Sequence, residues 1–154
     1  MAKERQDGYA LALRALGHKE RTEAELAGWL RERGVDGDEL SGVLMGLAEA
    51  GALDDERFAR RFAEDKRELR RWGPDRIAEA LRARGVAEAE IKAAIATESD
   101  EAVVIRAVEV LARSGEEPVD DRSRARALSL LARRGYPLEA AYEAVRAMER
   151  SEAA

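Results

Sequence analysis

Three stretches of this chain end in the same way at nearly the same interval. Leu30-Arg31-Glu32-Arg33-Gly34-Val35, Leu81-Arg82-Ala83-Arg84-Gly85-Val86 and Leu131-Ala132-Arg133-Arg134-Gly135-Tyr136 place their glycines 51 and then 50 residues apart. A glycine after a run of helix formers supplies the left-handed residue that closes a helix, and arginines in the last turn suit the negative end of its dipole. Leu40, Ile91 and Ala141 follow six residues after each glycine, and Leu44, Ile95 and Val145 ten residues after. A period near 50 with matched apolar positions is the mark of a repeated supersecondary unit. A unit that small buries too little surface alone, so neighbouring units are expected to share apolar surface.

The residue choice makes the units helical. Alanine occurs 31 times, whereas valine, isoleucine and threonine together occur 15 times; helices favour the first and strands the second. In the first unit, Tyr9, Leu13 and Leu16 mark one helix, ending near Gly17. Thr22 and Glu25 form a capping box for a second, which carries Leu26, Trp29 and Leu30. Asp36 or Asp38 opens a third, with Leu40, Val43, Leu44 and Leu47 on one face up to Gly51. In the second unit, Asp54 or Asp55 caps a long helix striped by Phe58, Phe62, Leu69 and Trp72. Gly73-Pro74 breaks it and starts the helix of Ile77, Ala80 and Leu81; Ile91, Ala94 and Ile95 mark the next. The third opens at Ser99 or Asp100 with Val104, Ala107, Val108 and Leu111. It continues after a loop with Ala127, Leu128 and Leu131, and closes with Leu138, Ala141, Tyr142, Val145 and Met148. The expectation is an all-α chain of three tandem three-helix repeats, 1–54, 55–98 and 99–154, forming an elongated array. Gly28, Gly42 and Gly46 fall inside helices, where they either permit close packing or lower local stability.

Catalytic chemistry finds little to stand on. There is no cysteine, and the one histidine, His18, lies in a polar turn. Asp54-Asp55, Glu116-Glu117 and Asp120-Asp121 sit before helices or in a loop, where capping and solvation account for them. No glycine-rich phosphate loop occurs. No apolar run approaches the roughly 20 residues of a membrane span, and MAKERQDGY has no signal-peptide core. A cytoplasmic, cofactor-free, metal-free, non-enzymatic monomer is the expected state.

What remains is charge on helices. On an ideal helix over 55–72, Arg60, Arg67 and Arg71 fall within about 40° of one another, with Arg70 on their flank and the aromatic stripe opposite. Glu64 lies close to this ridge and compensates part of its charge. Such a ridge is either a solvated face or a contact for an acidic partner or a phosphate backbone. Arg122, Arg124 and Arg126, close to Arg133 and Arg134, form a second basic stretch open to the same two readings.

The order of these segments resembles the RecX family of bacterial recombinase regulators. The resemblance runs from Tyr9-Ala10-Leu11 and Glu20-Arg21-Thr22-Glu23-Ala24-Glu25-Leu26 through Gly51-Ala52-Leu53-Asp54-Asp55-Glu56-Arg57-Phe58-Ala59. It continues in Trp72-Gly73-Pro74-Asp75-Arg76-Ile77 and the three helix ends quoted above, covering roughly residues 9–148. It implies three tandem three-helix repeats, a cytoplasmic non-enzymatic protein, and binding to the RecA–DNA filament with inhibition of recombination and coprotease activity. The contact residues expected from helical geometry are Arg60, Arg67 and Arg71, with Arg70 beside them, and Arg133 and Arg134. The net charge of −5 gives little general attraction to phosphate, so DNA alone is expected to bind weakly. A direct DNA-binding helical module and a helical-repeat scaffold for an unrelated protein are the alternative classes.

Overall fold

The structure, a computed structural model, describes the backbone of residues 2–153 and the side chains of residues 8–151. Among the described residues there are nine α-helices, one π-helical segment and no strand. They are α1 (Ala2–His18), α2 (Glu23–Glu32), α3 (Gly37–Glu49), α4 (Asp55–Asp65), the π segment (Lys66–Arg70), α5 (Pro74–Ala83), α6 (Glu88–Ile95), α7 (Asp100–Ser114), α8 (Asp121–Arg133) and α9 (Leu138–Ala153). The all-α class expected from composition is what the chain adopts.

The helix starts follow local chemistry. Thr22 Oγ1 accepts from the Glu25 N–H at 3.1 Å while Glu25 Oε1 accepts from the Thr22 N–H at 3.0 Å, so two otherwise orphaned donors are satisfied reciprocally. Of the alternative caps, Asp54 receives the Arg57 N–H at 3.0 Å and Ser99 the Ala102 N–H at 3.1 Å. Asp36 precedes α3 without a side-chain cap bond. The ends are equally regular. Gly34, Gly85 and Gly135 have φ of 84°, 83° and 90°. The N–H groups of Val35, Val86 and Tyr136 reach back to the carbonyls of Leu30, Leu81 and Leu131 at 3.0, 3.1 and 3.0 Å. Three identical left-handed closures therefore stand at the sequence positions that carry the repeat.

The described chain resolves into two compact units. The first comprises Met1–Ala59 and Leu81–Ile91. Leu26, Leu30, Val35, Leu40, Val43, Leu47 and Leu53 form its core, with Ala12 and Ala15 of α1 against them. Gly46 faces the Tyr9 ring, which an added Cβ would meet at 3.4 Å, whereas Gly28 and Gly42 face open space; of these three, Gly46 alone serves close packing. Leu13, expected on the apolar stripe of α1, is instead 45% exposed. Among the described residues of α1, the buried apolar side chains are Ala12 and Ala15, whose small size lets the α1 backbone approach its neighbours.

The second unit comprises Arg60–Ala80 and Lys92–Ala154. Its core sets Val103, Ala107, Val110 and Leu111 of α7 against Ala127 and Leu131 of α8, Tyr136, and Ala141, Ala144 and Val145 of α9. Leu138 and Tyr142, expected in this core, are 64% and 42% exposed. Ala141, Ala144, Val145 and Met148 instead carry the inward face of α9.

Each unit contains one joint of the same design. In the first, Thr22, at the start of α2, donates its hydroxyl to the Arg84 carbonyl at 2.7 Å, and a Cβ on Gly85 would collide with the Cβ of Ala24. In the second, Gly73, at the start of α5, donates its N–H to the Arg134 carbonyl at 2.8 Å, and Asp75 donates to the Gly135 carbonyl at 2.9 Å. In each joint a donor at one helix start, a side-chain hydroxyl in the first and backbone N–H groups in the second, meets a carbonyl at another helix end. Thr22 and Gly73 are 51 residues apart and Arg84 and Arg134 are 50 apart, so the joint shares the period of the sequence.

Candidate functional site

The arginine ridge expected from an ideal helix does not form. After Asp65 the helix widens to π geometry over Lys66–Arg70 and ends at Arg71 in the left-handed region, φ 52°. The Trp72 N–H returns to the Lys66 carbonyl at 3.2 Å. The wider turn rotates every later side chain away from its α-helical bearing. Leu69 consequently leaves the apolar stripe and is 74% exposed.

Arg67 turns inward. Its guanidinium donates to the Ala94 and Ile95 carbonyls at 3.1 and 3.3 Å and to Thr97 Oγ1 at 3.0 Å, which caps the end of α6. Its Nε lies 3.2 Å from Glu98. Glu98 also receives a two-pronged pair from Arg106, at 2.6 and 2.9 Å, while Arg106 Nε donates to the Trp72 carbonyl at 3.0 Å. Burial pulls the Arg67 pKa down. It pulls on Arg106 in the same way, but the hydrogen bonds that Arg106 donates to Glu98 and the field of Tyr136 outweigh it and that pKa is raised. Arg67 is therefore part of the unit's interior, its side chain 11% exposed, and does not stand on an outward ridge with Arg60.

Arg71 is half-buried. Its Nε lies 3.6 Å from Glu109, and its carbonyl accepts from the Tyr136 hydroxyl at 2.7 Å. Burial pushes the Tyr136 phenol up to about 12, with the Arg106 charge opposing. The folded state thus holds this proton more tightly than an unfolded chain with an ordinary tyrosine value near 10. Stability from Tyr136 is full below pH 10 and is lost as pH rises through about 12. A chemical denaturation series across pH 9–12 is expected to show this decline, and Tyr136→Phe to flatten it.

Arg60 and Arg70 remain exposed. The Trp72 ring is covered by Arg76 at 4.3 Å and by Lys66 at 4.8 Å and meets Phe62 edge-on, so these aromatics pack against their own chain.

The second basic stretch divides by face. Arg124 pairs with Glu149 at 2.7 Å and Asp121 at 2.9 Å. Arg134 is half-buried and lends its carbonyl to the joint with Gly73. Arg122, Arg126 and Arg133 instead share one stripe of α8 with Ser129, lining a shallow cleft of about 590 Å³. Glu116 approaches Arg126 at 3.4 Å; Arg122 and Arg133 have no ion-pair partner among the described residues. The 4- and 7-residue steps from Arg122 through Arg126 to Arg133 are one helical face, so this grouping was readable once Asp120 was placed as the cap. The partner role of Glu98 had no sequence signal: it lies 31 residues from Arg67.

Capped helices in three-helix groups, with charged faces turned outward and their interior closed by ion pairs and helix-end joints, define a helical protein suited to surface contact. A model described as "RecX, first three-helix domain" matches residues 9–44, and one described as "RecX, second three-helix domain" matches residues 54–95. The "Regulatory protein RecX" of Halorhodospira halophila is 41% identical over 126 residues, covering 81% of this chain and 78% of that protein. Its counterpart in Mycobacterium sp. (strain KMS) is 33% identical, covering 91% and 80%. The crystal structure of RecX from Lactobacillus salivarius superposes with a TM-score of 0.87 over 97% of this chain and 99% of that one, at 19% identity. The chain belongs to the RecX family of regulatory proteins. No helix among the described residues is long and apolar enough to cross a membrane.

Proposed function

We propose that this protein binds the RecA–DNA filament and inhibits the recombinase, ATPase and coprotease activities of RecA in DNA repair and the SOS response, as a cytoplasmic monomer of three tandem repeats, 1–54, 55–98 and 99–154, without cofactor or catalysis. Membership of the RecX family supports RecA as the partner. The observation that carries the contact is the α8 stripe: Arg122, Arg126 and Arg133 face one cleft, two of them without an ion-pair partner among the described residues. Arginine presents a planar fork that pairs with carboxylate or phosphate, so this face suits the acidic groups of the filament. Arg60, Arg70 and, at the rim, Arg71 offer a second point of contact, and Arg134 adds charge beside Arg133. Two or more contacts on one filament would give avidity. Inhibition then follows from tighter binding to one filament state than to another, since equal affinity shifts nothing.

The test is RecA's DNA-dependent ATP hydrolysis with the protein titrated in at two salt concentrations, with co-sedimentation as the binding measurement. Inhibition well below the concentration that covers the DNA is expected, and Arg122→Glu with Arg133→Glu should weaken it at least tenfold while helicity is kept. Full inhibition by that folded double variant would discard the α8 face. The same stripe also fits a phosphate backbone directly. That reading predicts DNA binding without RecA that falls steeply with salt, and inhibition only once the DNA is saturated.

A further inference from the structure

The second unit carries another surface, which shares no residue with the arginine cleft. A groove of about 1110 Å³ runs between α7 and α9, closed at one end by the starts of α5 and by Pro137. Val104, Ile105 and Tyr142 line it, with Ile105 62% and Tyr142 42% exposed. Large apolar side chains this open, gathered along one groove, mark a surface that another molecule covers.

The charge on the rim selects the occupant. Glu98 is held by Arg67 and Arg106, and Glu143 pairs with Arg146, the one cation lining the groove, at 3.0 Å. Asp75, Asp100, Glu101 and Glu139 line it without an ion-pair partner among the described residues. These four stand in the first turns of α5, α7 and α9, where helix dipoles favour them. That accounts for each carboxylate singly. It does not account for their convergence on exposed isoleucine and tyrosine.

We infer that this groove docks a basic amphipathic segment of a partner protein, with large apolar side chains entering between α7 and α9 and lysine or arginine meeting the rim. An acidic segment or an anionic membrane surface would be repelled by the same four carboxylates. An apolar helical face in a groove with charges at its edge is a recurrent recognition mode, in which the anchors supply affinity and the rim steers and selects.

The full-length protein would be titrated with three labelled 16-residue helical peptides, followed by fluorescence anisotropy: one of leucine and lysine, one of leucine and glutamate, one of serine and lysine. Saturable binding of the leucine–lysine peptide is expected, with no binding of the leucine–glutamate peptide and at least tenfold weaker binding of the serine–lysine peptide. Ile105→Ser should weaken the first at least tenfold. Glu101→Gln with Glu139→Gln should weaken it about threefold and flatten its salt dependence, whereas Arg122→Glu with Arg133→Glu leaves it within twofold. Ile105 and both glutamates are exposed, so these variants keep the fold, and circular dichroism verifies it. Leucine–lysine binding that both groove variants leave unchanged would overturn the inference. So would a concentration-dependent dimer in sedimentation that Ile105→Ser dissolves, since the occupant would then be a second copy of this chain.

Discussion

Gly135→Ala is expected to lower the stability of the protein by more than about 4 kcal/mol, in the class of substitutions that break a specific structural device. Two effects add. The residue sits at φ 90°, where an L side chain costs about 1–2 kcal/mol. In addition, its Cβ would be driven into the Arg76 backbone at the start of α5, and neither helix end can retreat without breaking the Gly73–Arg134 and Asp75–Gly135 hydrogen bonds. The chain supplies its own control. Gly34 occupies the equivalent helix end with φ 84°, but its Cβ would point into open space. Gly34→Ala should therefore cost only the conformational part. Gly85, facing the flexible-free Cβ of Ala24, should fall between them. Thermal denaturation of the three variants should give the order Gly34, Gly85, Gly135, at about 2–4 °C per kcal/mol for a chain of this size. Equal losses at Gly34 and Gly135 would show that the joint contributes nothing.

Glu98→Ala is expected to cost about 3–5 kcal/mol, the range for removing one partner from a buried ion pair. Glu98 is 10% exposed, and Arg67 and Arg106 are each 11% exposed at the side chain. Without the carboxylate, two guanidinium groups are left close together with nothing of opposite charge between them. Arg67 keeps its carbonyl partners on α6 and Arg106 keeps Trp72, so the geometry persists while the charge goes uncompensated. Replacing Arg106 with methionine in the same chain should recover part of the loss, because it removes one stranded charge and keeps the volume. Urea titration of the single and double variants measures this; a double variant less stable than Glu98→Ala alone would mean the triad acts through shape rather than charge. The same network makes charge reversal at Arg67 a poor probe of filament contact, since it would damage the unit before any surface was tested.

Much of this architecture was written in short-range chemistry. Thr22 with Glu25, Asp54 with Arg57 and Ser99 with Ala102 act within three residues of one another, and the glycines at 34, 85 and 135 act on the turn that precedes them. Such signals survive in sequence because the atoms that meet are neighbours along the chain. The period near 50 located the equivalent helix ends, and the succession of segments from Tyr9 to Tyr136 pointed to the family. The sequence could not show what those ends touch. That Arg134 and Gly135 receive the start of α5 depends on residues about 60 positions apart.

The π segment marks the same limit more sharply. Nothing between Asp55 and Trp72 departs from an amphipathic α-helix, and 100° steps place Arg67 beside Arg60. In the folded unit Arg67 is turned onto the end of α6 and onto Glu98, and Leu69 is turned out to solvent. Hydrogen bonds to three acceptors and a buried counter-charge outweigh the cost of one irregular turn and of a left-handed Arg71. Sequence by itself therefore determined the helical class, the caps at Thr22, Asp54 and Ser99, the glycine closures and the kinship. The tertiary structure alone decided which charges are consumed inside and which are offered outside, because a charge finds its partner through space and helix periodicity records only the axis it departs from.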